Sequence, residues 1–364
     1  MEPLLLSILG DILTFDNGAS FTQRERFTKS KYGDKFKLEG RVYTIRKFFL
    51  FLNLGGVNRD LSDQLYSFNT TVIYSTLRAL NNKTDSFESA CIKEYSKLYT
   101  KYSSKDEPNR LLIPFNYLNS FSNLITHRTP YNPNANDLIP ITRIIPIALL
   151  YWKKDKTSRN NLVETIIRNI ILTHNNVKCY LSAITLGLFI SYGKNGINSQ
   201  KWCHNLVEYL LSDELDSLVK KLELHNNTFI IEREQYVTMW NNYIGLHLKK
   251  MINSKFWINH INPGWRYEYL YYLSDNFNNL DEFTYGRYCD DGILCAYDTL
   301  LCCQGSWEKL ILSGCIGTTD NSTMATICGA LFGAEYKFES VWIEKYLKED
   351  WVKKALKLGK SLGL

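Results

Sequence analysis

Apolar side chains recur at helical spacing along most of the chain. Leu162, Ile166, Ile167, Ile170 and Ile171 form one face of a predicted helix, with Arg168 and Asn169 opposite. The stretch from Tyr180 to Tyr192 is apolar nearly all round and predicts a central buried helix. Leu206, Leu210 and Leu211 supply another face, as do Ile293, Leu294, Tyr297 and Leu301. The start, Met1 to Leu9, is as apolar as a signal-peptide core, but it lacks a basic flank and meets Asp11 at once. It is expected to be the first buried helix. Alternating patterns are short and few, Leu38 to Ile45 being the clearest candidate strand. The pattern predicts an all-α orthogonal helical bundle.

One segment combines this pattern with candidate chemistry. From Thr318 to Ala334, polar oxygens crowd the start and small or apolar residues follow. Ala325, Gly329 and Gly333 fall four apart, so one helix face carries almost no side chain and a neighbouring backbone can approach it. Asp320, Ser322 and Thr323 stand at the predicted N-terminus, where free N–H groups and hard oxygen ligands meet. Upstream, Ser62-Asp63-Gln64-Leu65 also opens an apolar segment with hydroxyl and carboxylate groups.

Together these two segments resemble the ADP-ribosylglycohydrolase family, which reads [S/T]-D-D-T near its N-terminal third and G-G-D-x-D-[S/T] near its C-terminus. Gly10-Asp11-Ile12-Leu13 with Asn17-Gly18 is similar to the family's opening G-D-A-L-G segment. Arg143 to Leu149 resembles its R-x-x-P helix start, and Leu172-Thr173-His174 with Tyr180-Leu181-Ser182-Ala183 its T-H-x-H-P helix. Trp202, Trp240 to Tyr243, and Ala296 to Trp307 resemble the ADP-ribosylarginine hydrolase branch. The likeness implies an all-α bundle over residues 1–364, with 129–137 as a possible loop insertion. It also implies two Mg²⁺ ions and cleavage of the bond between ADP-ribose and a protein side chain, arginine favoured. On this basis Asp63 is the expected catalytic carboxylate, and Ser62, Asp63, Asp320 and Thr323 the expected metal ligands. Asn17, His174 and Arg143 are the expected substrate contacts.

The chain departs from that pattern where charge matters. Gln64 and Ser322 stand at two carboxylate positions, leaving Asp63 and Asp320 of an expected four. Two adjacent dications need several carboxylates to offset their repulsion, so one weak Mg²⁺ or none is expected. The family's G-x-G-x-x-M-R phosphate loop has become Asp137-Leu138-Ile139-Pro140-Ile141-Thr142-Arg143, without glycines. Side chains there keep backbone N–H groups away from a pyrophosphate. Three functions remain open: a slow hydrolase, an ADP-ribose-binding module, and a catalytically dead scaffold that engages other proteins.

The bulk numbers change the picture little. The 364 residues are 45% hydrophobic, enough for a sizeable core, and no linker divides them. A net charge of +6 is spread among interspersed acids, so neither nucleic acid nor a membrane is an expected partner. ADP-ribose or an ADP-ribosylated protein is. Nine cysteines, without zinc-like spacing, fit a reducing cytoplasm, that of a host cell if the source is a virus.

Overall fold

A computed structural model describes residues 1–15, 36–58, 61, 66–103, 122, 135–248, 266, 269–273, 285–286, 288–316, 321–336 and 349–364. Among them there is no strand, and a single isolated bridge joins Asp137 to Tyr288. The helices, in chain order, are α1 (Glu2–Thr14), α2 (Phe36–Asn53), α3 (Phe68–Leu80), α4 (Phe87–Ser103), α5 (Ile139–Thr142), α6 (Ile145–Leu150), α7 (Lys156–Ile171) and α8 (Val177–Lys194). They continue with α9 (Trp202–Leu210), α10 (Asp213–Lys221), α11 (Asn227–Tyr243), α12 (Cys289–Cys303), α13 (Trp307–Leu310), α14 (Asn321–Glu335) and α15 (Asp350–Ser361). No helix among the described residues is long and apolar enough to cross a membrane.

Local chemistry sets where these helices begin. Ser67, Asp155, Asn176, Ser212 and Asn226 each accept a hydrogen bond from an N–H of the first turn that follows. These caps satisfy donors that a helix cannot pair internally. The centre is α8, buried from Cys179 to Ser191 and packed by α6, α7, α11, α12 and α14. Beside it Phe189, Trp202, Trp240 and Tyr297 form a nest of tilted, edge-on and stacked rings with centroids 4.9–6.3 Å apart.

The small-residue stripe of α14 does what its spacing predicts. Gly329 lies against the Leu6 carbonyl and Gly333 against Pro3, while Gly10 of α1 meets the Ala325 carbonyl. The α1 and α14 backbones therefore run in contact, and this seam fixes both helices relative to α8.

Two expectations are corrected. Leu38 to Ile45 is helical, inside α2: its alternation is brief, whereas Val42, Ile45, Phe48, Phe49 and Leu52 continue at helical spacing. Leu211 is largely exposed because α9 ends at Leu210 and the turn carries the next side chain outward.

Arg266 and Asp298 form an ion pair in the interior, 2.6 Å apart and both essentially inaccessible. The hydroxyls of Tyr243 and Tyr269 also donate to Asp298 Oδ1, and Arg266 donates to Ser313 O and Thr299 Oγ1. Removing one member strands the other charge away from water. Asp298→Leu is expected to lower unfolding free energy by about 3–5 kcal/mol, with Arg266→Met/Asp298→Leu recovering part of it. Urea unfolding of the three proteins measures both.

Candidate functional site

Two helix N-termini, those of α3 and α14, meet beside the end of α1. Next to Gly10, whose backbone lies against Ala325 of α14, the fully buried Asp11 reaches the first turn of α3. Asp11 Oδ2 accepts from Ser67 N at 3.0 Å, from Thr70 N at 3.2 Å and from Thr70 Oγ1 at 2.5 Å. Its other oxygen, Oδ1, has no hydrogen-bond partner among the described residues. Burial pushes the Asp11 carboxyl up to about 6, against the opposing hydrogen bonds of Ser67 and Thr70.

Between the two N-termini sits the side chain of Asn69, itself buried. Asn69 Nδ2 donates toward Ser67 Oγ at 2.9 Å, Thr323 Oγ1 at 3.0 Å and Ser322 Oγ at 3.3 Å. Asn69 Oδ1 lies 3.2 Å from the Thr323 hydroxyl and 3.4 Å from that of Thr142, on α5. At the α14 end, Thr14 Oγ1 reaches Asn321 O at 3.2 Å and Thr326 Oγ1 donates to Ser322 O. The result is a neutral polar knot, with one carboxylate holding α3 from behind.

A second polar chain begins one residue beyond Thr142. Arg143 is fully buried; its guanidinium donates to Asn169 Oδ1, Asn169 O and Thr173 Oγ1, each at 2.7 Å. It also lies over the Tyr95 ring. Arginine can only donate, so the Thr173 proton is free to face His174 Nδ1, 2.8 Å away. His174 Nε2 then carries a proton toward Asp137 Oδ2 at 3.1 Å. Asp137 belongs to the segment tied to α12 by the Asp137–Tyr288 bridge and by Cys289 N donating to Asn136 O. Near the start of α12, Lys178 pairs with buried Asp290 at 3.1 Å.

The expected site residues divide accordingly. Asn17, Ser62, Asp63, Gln64 and Asp320 lie outside the described residues. Ser322 and Thr323 stand in the first turn of α14, inside the knot. His174 is buried against Asp137, and the hydrogen bonds of Arg143 run to α7 and the turn after it. Asp11, Ser67, Asn69, Thr70 and Thr142 complete the knot and were not singled out from sequence as one cluster. Only the hydroxyl–amide–hydroxyl run ahead of Val72 and Ile73 could have signalled α3's share.

At its centre the knot offers Mg²⁺ only neutral groups among the described residues, the expected carboxylates Asp63 and Asp320 lying outside them. Among the described residues no three His, Cys, Asp or Glu side chains converge where a metal could sit. Ser67, Thr142, Ser322 and Thr323 are neutral, and an amide N–H already points at three of the hydroxyl oxygens. Hard divalent cations are held by carboxylates, which this cluster does not aim into its centre.

Asp11 gives the site a pH signature. Its folded-state pKa of about 6 exceeds the ordinary 3.8, so between those values the folded state keeps a proton that the unfolded chain has lost. Stability from this group is complete below the lower value and gone above the upper one. The loss is about 3 kcal/mol as pH rises through the window. Asp11→Asn is expected to flatten that slope, read as the difference between variant and wild-type urea midpoints at successive pH values.

The comparisons agree with this architecture. The family model for ADP-ribosylglycohydrolase matches residues 5–362. A protein of Acanthamoeba polyphaga mimivirus, L444, named provisionally as an ADP-ribosyl glycohydrolase, is 26% identical over 298 residues. That match takes in 79% of this chain but 56% of L444, so the chain spans little more than half the length of that relative. ADP-ribosylhydrolase ARH1 of Dictyostelium discoideum is 24% identical over 362 residues, covering 93% of this chain and 86% of ARH1. A solved structure titled ADP-ribosylglycohydrolase-related protein complex superposes with a TM-score of 0.54 at 12% identity, over 99% of this chain and 96% of that one. With a family model spanning nearly every residue and a shared helical fold, the chain belongs to the ADP-ribosylglycohydrolase family.

Proposed function

We propose that this chain is a pseudohydrolase: a family member that keeps the fold, has lost Mg²⁺-dependent release of ADP-ribose from protein side chains, and serves as a scaffold for other proteins. The observation that carries the reading is the Asn69 amide. It occupies the junction of the α3 and α14 N-termini and spends its N–H groups on Ser67, Ser322 and Thr323. Ser62-Asp63-Gln64-Leu65 lie outside the described residues. Because Asn69 is the residue that faces Ser322 and Thr323, the family frame [S/T]-D-D-T is set in their place on Ser67-Phe68-Asn69-Thr70. Both hydroxyl ends are then retained, while Phe68 and Asn69 fall at the two carboxylates. Ser322 likewise falls at the second carboxylate of the C-terminal frame. The described part of such a site holds its two helices together with hydrogen bonds and aims no carboxylate at a metal or at the cationic ribose that develops as the bond breaks.

The phosphate side supports the same conclusion. Asp137 stands where the family loop has glycine, and its carboxylate lies against His174 Nε2. A carboxylate there repels a pyrophosphate and fills space that a bare backbone would leave open. This weighs against the alternative of a retained ADP-ribose-binding module.

Arginine-linked ADP-ribose is the first substrate to test. The full chain, incubated with ADP-ribosylated arginine substrate and Mg²⁺, is expected to release no ADP-ribose above the buffer control. ADP-ribose itself is expected to produce no heat on titration. Mg²⁺-dependent release at a rate matching Dictyostelium ARH1 would overturn the proposal; binding without release would move it to the binding-module reading.

A further inference from the structure

Two cysteines that the polar sites do not use lie in contact. Cys179 Sγ and Cys289 Sγ are 3.4 Å apart although 110 residues separate them in sequence. Both are fully buried free thiols. Cys179 is in the first turn of α8 and Cys289 opens α12, so two helix N-termini converge on the sulfur pair. The partial positive charge of those ends favours a thiolate during reaction. A disulfide bond is about 2.05 Å long, so the sulfurs need to close by only about 1.4 Å.

We propose that Cys179 and Cys289 are a redox modification site at which hydrogen peroxide oxidises the pair to a disulfide that clamps α8 to α12. The step balances as two successive displacements. One thiol, as thiolate, attacks a peroxide oxygen; the O–O bond breaks, water leaves and a sulfenic acid remains. The second sulfur then attacks the sulfenic sulfur, the S–O bond breaks and a second water departs. Two electrons pass from the sulfur pair to the peroxide, and both thiol protons end in water.

The pair also has a structural outlet. Cys179 Sγ donates to Ala135 O at 3.4 Å, and Cys289 N donates to Asn136 O at 2.8 Å. The sulfurs thus sit against the segment that presents Asp137 to His174. Oxidation removes the S–H donor to Ala135 while the N–H tie to Asn136 and the Asp137–Tyr288 bridge stay, so one anchor of that segment is lost. Burial pushes the Cys289 thiol well above its ordinary value, so it is protonated at rest and reacts through transient opening. The modification is therefore slow and responds to sustained rather than brief oxidant exposure.

Other cysteines provide the internal comparison. Cys302 is partly exposed, but burial of its sulfur, with the Asp298 carboxylate to which it donates, holds its thiol well above the ordinary range. Cys315 and Cys328 are buried neighbours on the segment 311–315 and α14, and form the competing pair.

The test uses the full chain treated with hydrogen peroxide under conditions that leave its far-UV dichroism unchanged, then alkylated in denaturant and digested without reductant. The expected result is a Cys179–Cys289 cross-linked peptide, lighter by two hydrogen atoms than the two thiol peptides, with loss of alkylation at both and recovery on adding a thiol reductant. Cys179→Ser is expected to abolish the cross-link and leave a sulfenic acid at Cys289 that dimedone captures. Recovery of both residues as reduced thiols at every dose short of unfolding would overturn the proposal. So would a Cys315–Cys328 cross-link without this one, or over-oxidation of either sulfur to a sulfonic acid with no cross-link.

Discussion

Gly329→Ala is expected to cost about 3 kcal/mol or more, enough to unfold a marginal chain near body temperature. Helix propensity alone predicts the reverse, because alanine in a helix interior is favoured over glycine by about 1 kcal/mol. Packing decides. A Cβ at Gly329 would lie within 2.7 Å of the Leu6 carbonyl carbon and 3.0 Å of Ser7 N, both backbone atoms of α1 that cannot rotate aside. Relief requires α1 to lift from α14, which exposes the Leu5, Leu9 and Ile12 core and pulls Asp11 from the α3 N-terminus. Gly245 is the control, since an added Cβ there meets nothing within 4 Å. Gly245→Ala should leave the urea midpoint unchanged or slightly raised. Equal midpoints for the two variants would mean that the α1–α14 backbones are not in contact.

The seam was legible because its signal is local: three small residues spaced by four need only one helix to make a smooth face. The same holds for most of the α7 face, where Leu162, Ile166, Ile167 and Ile170 are buried and Ile171 is half-buried, although Asn169, read as lying opposite, is buried as well. Leu38 to Ile45 misled for a related reason. A short alternating run satisfies strand spacing by chance, and only the continuation to Leu52 reveals the helical period. The order of the damaged motifs carried the family, and the nearly full-length family match bears that out.

The knot was not legible as a cluster. Asn69 joins Ser322 and Thr323 across 253 and 254 residues, and no spacing rule links an amide to hydroxyls that far away. Asp11 is similar: beside Gly10 it reads as part of an opening helix, and only the fold reveals that its carboxylate caps another helix 56 residues on. Arg143 was placed among substrate contacts by motif alone. In the structure its three short hydrogen bonds brace the end of α7 and the turn behind it, a role that depends on Asn169 and Thr173 arriving from a different helix.

Asn69→Asp/Ser322→Asp is expected to convert the knot into a cation site. Without a divalent ion the double variant should be less stable than wild type by several kcal/mol. Two carboxylates would replace groups now 3.3 Å apart in a buried setting, and Ser67 and Thr323 would lose the amide donor. Mg²⁺ should reverse the loss, because a cation between the carboxylates offsets their repulsion and is held by the neighbouring hydroxyls. At a concentration a hundredfold above the dissociation constant the recovery is about 2.7 kcal/mol, read as a Mg²⁺-dependent rise in melting temperature. Wild type should show no such rise. Ser322→Asp alone should respond little, since the Asn69 N–H groups can donate to the new carboxylate and neutralise it locally. The two substitutions are therefore expected to be more than additive. Hydrolysis should return only weakly in the double variant, with Asp137 still opposing a pyrophosphate. A wild-type protein stabilised by Mg²⁺ as strongly as the variant would show that charge outside the knot already supplies a site, and the pseudohydrolase reading would fail.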